Sequence, residues 1–338
     1  MALLEYQNSI IPRFESYMLQ FLEEYLSGHP DEIANMFYYH LGYQKNQIET
    51  FGSGKRLRPL LTLICTLGSG GLWENALPAA VAIELTHNFS LIHDDIEDKS
   101  DTRRGKLAVW KKWGIEQGIN TGDAMQSVAV RAILELEKFY SPTVTVVCSK
   151  LLLDSIFLIT SGQYLDLKYE GCERIDQNAY LQMIERKTAT LIACSTKMGA
   201  ILGGLDMNGQ EYYFQFGKYL GLAFQIYDDW LGVWGISQKT GKPTASDLYQ
   251  KKKSYPVVMG LSAAREFQDV WDKNIHLDEK HITQLISIME ENGIKDLVLK
   301  KAIAYSIESK KILEKMIINK TVKEGLIEMI DNLIKREK

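Results

Sequence analysis

Apolar residues recur along this chain at helical rather than strand spacing. Leu151, Ser155, Leu158 and Gly162 fall on one ridge of a 3.6-residue repeat, with Ile156 and Ile159 beside them. Residues 1–50 divide into two amphipathic stretches separated by Ser27-Gly28-His29-Pro30, and residues 260–338 continue the amphipathic pattern with mixed charge. The β-branched run 143–147 has strand propensity but leads straight into the helical ridge at Leu151, so it is read as helix. Pro59 suits the first turn of one helix, and a second begins near Pro78. Asn120-Thr121-Gly122-Asp123 reads as a turn or a helix start, with Asp123 as its cap. No Gly/Ser linker, low-complexity tract or repeat divides the chain. The pattern predicts a nearly all-α protein, with residues 1–338 forming a single helical domain.

Composition refines this only at the edges. A chain of 338 residues with 46% hydrophobic content buries a sizeable core. Its net charge of −4 gives no global basic field, so no nucleic acid partner is expected. Cys65, Cys148, Cys172 and Cys194 are scattered without a CxxC pair and predict free thiols in a reducing compartment. The N-terminus has no basic region leading into an apolar core, and no eighteen-residue apolar run is uninterrupted. A secretory signal and a membrane span are therefore not expected, and the reading is cytoplasmic.

The chemistry gathers at residues 87–104. Asp94, Asp95, Glu97 and Asp98 lie within five positions, and Arg103 and Arg104 follow. On a helix, Asp94 and Asp98 share one face, with His87 and Leu91 continuing the ridge. Carboxylates so placed repel one another, and a hard cation such as Mg²⁺, also holding substrate phosphates, relieves the repulsion. Arginines then suit the remaining phosphate oxygens. A second pair, Asp228 and Asp229, ends an aromatic, apolar pattern, and Lys239, Lys242, Lys251, Lys252 and Lys253 follow it. Gly52 and Gly54 free the backbone before Lys55, Arg56 and Arg58, which predicts an anion site at a helix start. Gly162 costs helix stability, about 1 kcal/mol relative to alanine, and so marks the close approach of a neighbour or ligand. Lys187 and Thr188 interrupt another apolar pattern.

Taken in order, these segments resemble the isoprenyl diphosphate synthases (the polyprenyl synthase family) over roughly residues 50 to 256. GSGKRLRP resembles the family's GGKRxRP, with Ser53 replacing a glycine, and HNFSLIHDDIED carries the first DDxxD, followed by Arg103-Arg104-Gly105. GQYLD matches GQxxD, Lys187-Thr188 the KT pair, FQIYDD the second aspartate motif, and GKPTASDLYQKKKSYP the loop after it. This chain departs from the pattern at Gly232, where the last aspartate of the second motif is common. It departs again at Lys251, which replaces a loop glycine, and at Ser254, which replaces threonine.

The resemblance implies the isoprenoid synthase fold, one large helical bundle around a central prenyl-substrate cavity, in a homodimer. It implies Mg²⁺-dependent transfer of an allylic diphosphate onto isopentenyl diphosphate. Asp94, Asp98 and Asp228 would be the metal ligands, with Asp95 and Asp229 assisting. Arg103, Lys187, Thr188, Gln225, Lys242 and Lys252 would hold the allylic diphosphate, and Lys55, Arg58, His87 and Arg104 the isopentenyl diphosphate. Phe89 and Ser90, five and four residues before Asp94, stand where the family sets the pocket floor. A bulky ring there resembles short-chain enzymes, with C20 geranylgeranyl diphosphate favoured over C15 farnesyl diphosphate. The joint presence of Lys55, Arg58, His87 and Arg104 argues against a terpene cyclase on the same fold. The retained aspartates argue against a non-catalytic subunit of a heteromeric synthase.

Overall fold

The computed structural model describes residues 2–44, 47–48, 56–235, 245–274 and 276–334. Lys55 and Lys242, both expected at the site, lie outside the described residues. The described chain is helical almost throughout: α1 (Ala2–Leu26), α2 (Asp31–Leu41), α3 (Leu57–Gly68), α4 (Leu77–Glu97), α5 (Val109–Trp113), α6 (Ile115–Leu134), α7 (Pro142–Glu170), α8 (Gln177–Ile184), α9 (Thr190–Leu202) and α10 (Met207–Trp234). Helices Ser246–Tyr249, Tyr255–Ala263, Arg265–Lys273, Glu279–Glu291, Ile294–Lys315 and Lys320–Ile334 follow. Among the described residues the strands are two short antiparallel pairs, Tyr43–Gln44 with Gln47–Ile48 and Thr102–Arg103 with Lys106–Leu107. The all-α expectation holds, including α7 over the β-branched run.

Local signals explain most boundaries. The break at residues 27–30 separates α1 from α2, and Pro78 sits in the first turn of α4, where a missing N–H costs nothing. The turn expected at residues 120–123 does not form, because these residues lie inside α6. Thr121 and Gly122 are buried there, and a Cβ on Gly122 would lie 2.1 Å from His93 Nε2. Packing against α4 thus overrides the turn propensity of Asn-Thr-Gly-Asp.

The chain forms two compact units: residues 1–157, 191–214 and 316–326 make the first, and the remainder the second. In the first, α4 is the central element, packed by α1, α3 and α6. Every residue of α4 from Leu77 to Thr86 is buried, which an all-round apolar helix requires. In the second, Tyr227, Trp230, Phe267 and Trp271 are buried, and helix Tyr255–Ala263 packs against Arg265–Lys273 and Ile294–Lys315.

One helix differs from expectation. α7 is long and apolar enough to cross a membrane by length and composition, and only 33% of its most apolar window is buried. Lys150 and Asp154 interrupt its apolar run, which is why a search for an uninterrupted stretch passes over it. Val146, Val147, Leu153 and Phe157 stand exposed on it, Phe157 at 73%. Of the cysteines, Cys65, Cys148 and Cys194 are buried free thiols, and Cys172 is partly exposed.

Candidate active site

The first acidic cluster occupies the C-terminal end of α4. Asp98 follows the last helical residue and donates its N–H to the Asp94 carbonyl at 2.8 Å, so the expected i, i+4 ridge is present. The chain then turns through Lys99 at φ 51°. Lys99 N–H donates to Ile96 and Ser100 N–H to Asp95, which are the two bonds of a Schellman motif. Carboxylates here repel one another and also face the negative end of the helix dipole. Both effects favour a cation.

The Arg-Arg-Gly segment closes a two-residue hairpin. Arg104 (φ 52°) and Gly105 (φ 76°) form its tip between the pairs Thr102–Leu107 and Arg103–Lys106, and positive φ at both tip residues is the requirement of a type I′ turn. The hairpin aims both arginines at α4. Arg103 Nε donates to Asp95 Oδ1 at 2.9 Å, and its Nη2 lies 3.5 Å from Asp94 Oδ2. Arg104 donates to Asn88 Oδ1 at 3.3 Å and to the His40 carbonyl at 3.4 Å. Burial pushes the Asp95 carboxyl up, and Arg103 pulls it only part of the way back.

Beside this, Arg58 Nη1 lies 3.3 Å from His87 Nε2. Burial, reinforced by Arg58 and Arg104, holds His87 well below the usual imidazole range. A neutral ring that accepts from a guanidinium at Nε2 carries its proton on Nδ1. Burial also brings Arg58 down to about 10.

Arg56, read from the sequence as a third cation of an anion site, is instead a buried structural ion. Its Nε donates to Glu15 at 2.7 Å, one Nη to Glu84 at 2.6 Å and the other to the Leu41 carbonyl at 3.0 Å. Tyr43 donates to Glu15, and Glu84 also accepts from Asn88 at 2.8 Å. Asn88 thereby links the Arg56 network to Arg104. At Arg56 itself the backbone is left-handed (φ 45°), just before α3.

His40 adds a pH dependence to this unit. Burial, and then Arg104, Arg103 and Arg56, lower its pKa to about 3 from 6.5. The unfolded chain therefore takes a proton below pH 6.5 that the folded state refuses, so stability is lost as pH falls from 6.5 toward 3. At pH 5 the expected loss from His40 is about 2 kcal/mol. Denaturant titrations at pH 7 and pH 5 should show this loss in the wild type and a smaller one in His40→Gln. Equal losses would remove His40 as the cause.

The second cluster lies in the other unit. Asp229 is fully buried and accepts from Tyr180 Oη at 2.5 Å, Gln225 Nε2 at 2.8 Å and Tyr255 N–H at 3.2 Å. Burial raises its pKa to about 7 despite those donors. It acts as a brace, leaving Asp228 one residue earlier as the more accessible carboxylate. Thr188 Oγ1 donates to Gln225 Oε1 at 2.8 Å, so Thr188, Gln225 and Asp229 form one chain of hydrogen bonds.

Lys187 and Thr188 sit in a π-helical turn, Glu185–Ala189, between α8 and α9. Single π turns are frequent at functional sites. The glycine at 162 is explained by it: a Cβ there would lie 2.3 Å from Lys187 N and 2.7 Å from its Cα. Its close neighbour is thus backbone, and Asp166, one turn on, pairs with Lys187 Nζ at 2.6 Å. At Gly232 a Cβ would stand 2.3 Å from Asp247 Oδ2. The space of the absent aspartate side chain is filled by another carboxylate, from the helix Ser246–Tyr249.

A comparison with known proteins bears on what such a chain does. The polyprenyl synthetase family profile matches residues 43–292. The chain belongs to the polyprenyl synthetase family. A geranylgeranyl diphosphate synthase of Methanosarcina mazei is 33% identical over 295 residues, covering 87% of this chain and 90% of that one. A (2E,6E)-farnesyl diphosphate synthase of Mycobacterium bovis is 37% identical over 65% of this chain and 60% of its own. A polyprenyl synthase of Caulobacter crescentus, solved in complex with calcium and isoprenyl diphosphate, superposes with a TM-score of 0.84 at 25% identity, covering 99% and 98% of the two chains. As a polyprenyl synthetase this chain is a prenyltransferase with the isoprenoid synthase fold.

For a polyprenyl synthetase the donors fit a hard cation. No three His, Cys, Asp or Glu side chains among the described residues make a closed cage. Mg²⁺ characteristically takes one or two carboxylates, keeps waters and completes its shell with phosphate oxygens, which Asp94 and Asp98 on one helix end suit.

The sequence reading did not assign roles to Asp166, Asp247, Tyr180, Glu15, Glu84 or Asn88. Asp166 and Asp247 stand inside recognised motifs, and that was the available signal. Glu84, four residues before Asn88 on an apolar helix, was legible as a buried acid needing a cation.

Proposed function

We propose that this chain is a magnesium-dependent, short-chain prenyl diphosphate synthase. It joins isopentenyl diphosphate head-to-tail to an allylic diphosphate to give a short-chain prenyl diphosphate, with C20 geranylgeranyl diphosphate favoured over C15 farnesyl diphosphate as the product. The observation that carries this reading is the helix end bearing Asp94 and Asp98 with Arg103 laid across Asp95. A fixed cation beside carboxylates clustered at one helix end is the arrangement a metal-bound diphosphate needs.

Cleavage of the allylic C–O bond places negative charge on the departing pyrophosphate. Asp94, Asp98 and Asp228 would hold Mg²⁺, whose positive charge would balance the charge on the leaving group. Arg103, Lys187, Lys242 and Lys252 add fixed cations, and Thr188 and Gln225 add directed donors. Lys187 reaches its place because Asp166 holds it. Isopentenyl diphosphate keeps its diphosphate through the reaction, so side-chain donors suffice: Lys55, Arg58, Arg104 and neutral His87. The released pyrophosphate accepts the proton lost when the new double bond forms. The buried thiols support a cytoplasmic setting. The apolar stripe of α7 supports a homodimer, in which a second copy covers Val146, Leu153 and Phe157. Residues 1–338 would act as one catalytic domain.

Incubation with dimethylallyl and isopentenyl diphosphates plus Mg²⁺, followed by chromatography of the dephosphorylated products, tests the proposal. A C20 alcohol is expected, and no elongation at all would overturn it. Phe89 supports the short product. It is 4% exposed and meets the His93 ring edge-on at 6.0 Å, about 7.5 Å along α4 from Asp94. Phe89→Ala should shift the product beyond C20. An unchanged product profile would remove Phe89 as the pocket floor.

A further inference from the structure

Lys252, expected on the allylic diphosphate, lies between two lysines whose ammonium groups are spent on backbone carbonyls. Lys251 Nζ donates to Trp271 O and Asn274 O, both at 2.7 Å, at the C-terminal end of helix Arg265–Lys273. Lys253 Nζ donates to Tyr169 O and Glu170 O, both at 2.8 Å, and also to Cys172 O, at the C-terminal end of α7. The last carbonyls of a helix have no partners within it and carry the negative end of its dipole, so each ammonium meets a ready-made acceptor.

The backbone between them is fixed as well. Helix Ser246–Tyr249 ends in a Schellman motif, with Lys251 N–H on Leu248 O at 3.0 Å and Lys252 N–H on Asp247 O at 2.8 Å. Its left-handed position is Lys251 itself, at φ 51°. Glycine is the usual residue there, and a lysine pays a conformational cost. Two short ammonium–carbonyl bonds, and the Trp271 ring 5.1 Å from the same Nζ, offset that cost. Two residues past Lys253, Tyr255 N–H is tied to Asp229.

We propose that Lys251 and Lys253 are positioning residues that clamp the segment on either side of Lys252 and hold its side chain ready for a diphosphate. This deepens the proposed prenyl synthase reading and rests on it. Neither lysine touches substrate: each acts through Lys252. A preorganised cation binds more tightly because less freedom is lost on binding.

The test uses inorganic pyrophosphate with Mg²⁺ as probe, measured by calorimetry on the full chain, alongside separate KM values for the allylic and isopentenyl substrates. Lys251→Gly removes the ammonium and relieves the backbone, so its melting temperature should stay near that of the wild type. Lys253→Met removes the other clamp independently. Each variant should weaken pyrophosphate binding about tenfold, the size of one lost hydrogen bond, and raise the allylic KM while leaving the isopentenyl KM in place. A purely structural role would lower the melting temperature without this split. Wild-type affinity in both variants, with Lys252→Met weakened, overturns the clamp alone. A wild type that does not bind pyrophosphate, and is unaffected by Lys252→Met, overturns the synthase reading and the clamp with it.

Discussion

Asp94→Asn lowers kcat for chain elongation by about a hundred- to a thousandfold while the protein remains folded. The magnitude is that of removing one preorganised electrostatic element from a transition state in which charge develops on a leaving group. The fold survives because the Asp94 side chain is partly exposed and the Schellman bonds at the end of α4 are made by backbone. The loss should be accompanied by weaker Mn²⁺ binding, read by electron paramagnetic resonance in the presence of pyrophosphate. Asp228→Asn should behave alike. Activity within threefold of wild type in either variant would sink the assignment of that residue as a ligand. Asp95→Asn is expected to act differently, through release of Arg103, because Asp95 is 1% exposed and its Oδ1 is taken by that guanidinium.

Glu84→Ala is expected to cost about 3–5 kcal/mol of stability, the range for breaking a buried ion pair from one side. The side chains of Arg56 and Glu84 are 2% and 4% exposed, so Arg56 cannot turn to water when its partner is lost. Burial works against the charge on Arg56, and Glu84, Tyr43 and Glu15 outweigh it. Asn88 would lose an acceptor in the same step. Equilibrium denaturation gives the answer directly, and a loss below 1 kcal/mol would show that Glu15 alone carries the guanidinium. The triple exchange of Arg56, Glu15 and Glu84 to apolar residues should be far milder than the single one, because no charge is stranded.

How much of this was legible beforehand varies with the range of the interaction. The helices over residues 2–26, 31–41 and 77–97 follow from period and proline placement, both local. The i, i+4 relation of Asp94 and Asp98 is likewise a local consequence of helix geometry. By contrast, the helical state of residues 120–123 depends on His93, and the reason for Gly162 is the backbone of Lys187, 25 residues away. Nor could Arg56 be distinguished from Arg58 by sequence alone, since both are cations that follow a glycine-containing segment. Only the distant acids Glu15 and Glu84 mark Arg56 as interior. Gly232 read as a missing carboxylate, and Asp247 had to be seen against it.

The π turn at Glu185–Ala189 has a consequence for phase. Tyr180 and Thr188 both serve α10, bonding Asp229 and Gln225, which are themselves one helical turn apart. Eight residues of uninterrupted α-helix would rotate those two side chains about 80° out of line. One extra residue absorbed in a π turn makes the spacing equivalent to about seven, which restores alignment to within roughly 20°. Straightening the turn into α-helix with every residue kept would therefore misalign the site, whereas loss of one residue between Tyr180 and Thr188 would leave seven α-helical residues and keep the phase. An insertion kept within a helix works here as a gear tooth, meshing two side chains with one neighbour.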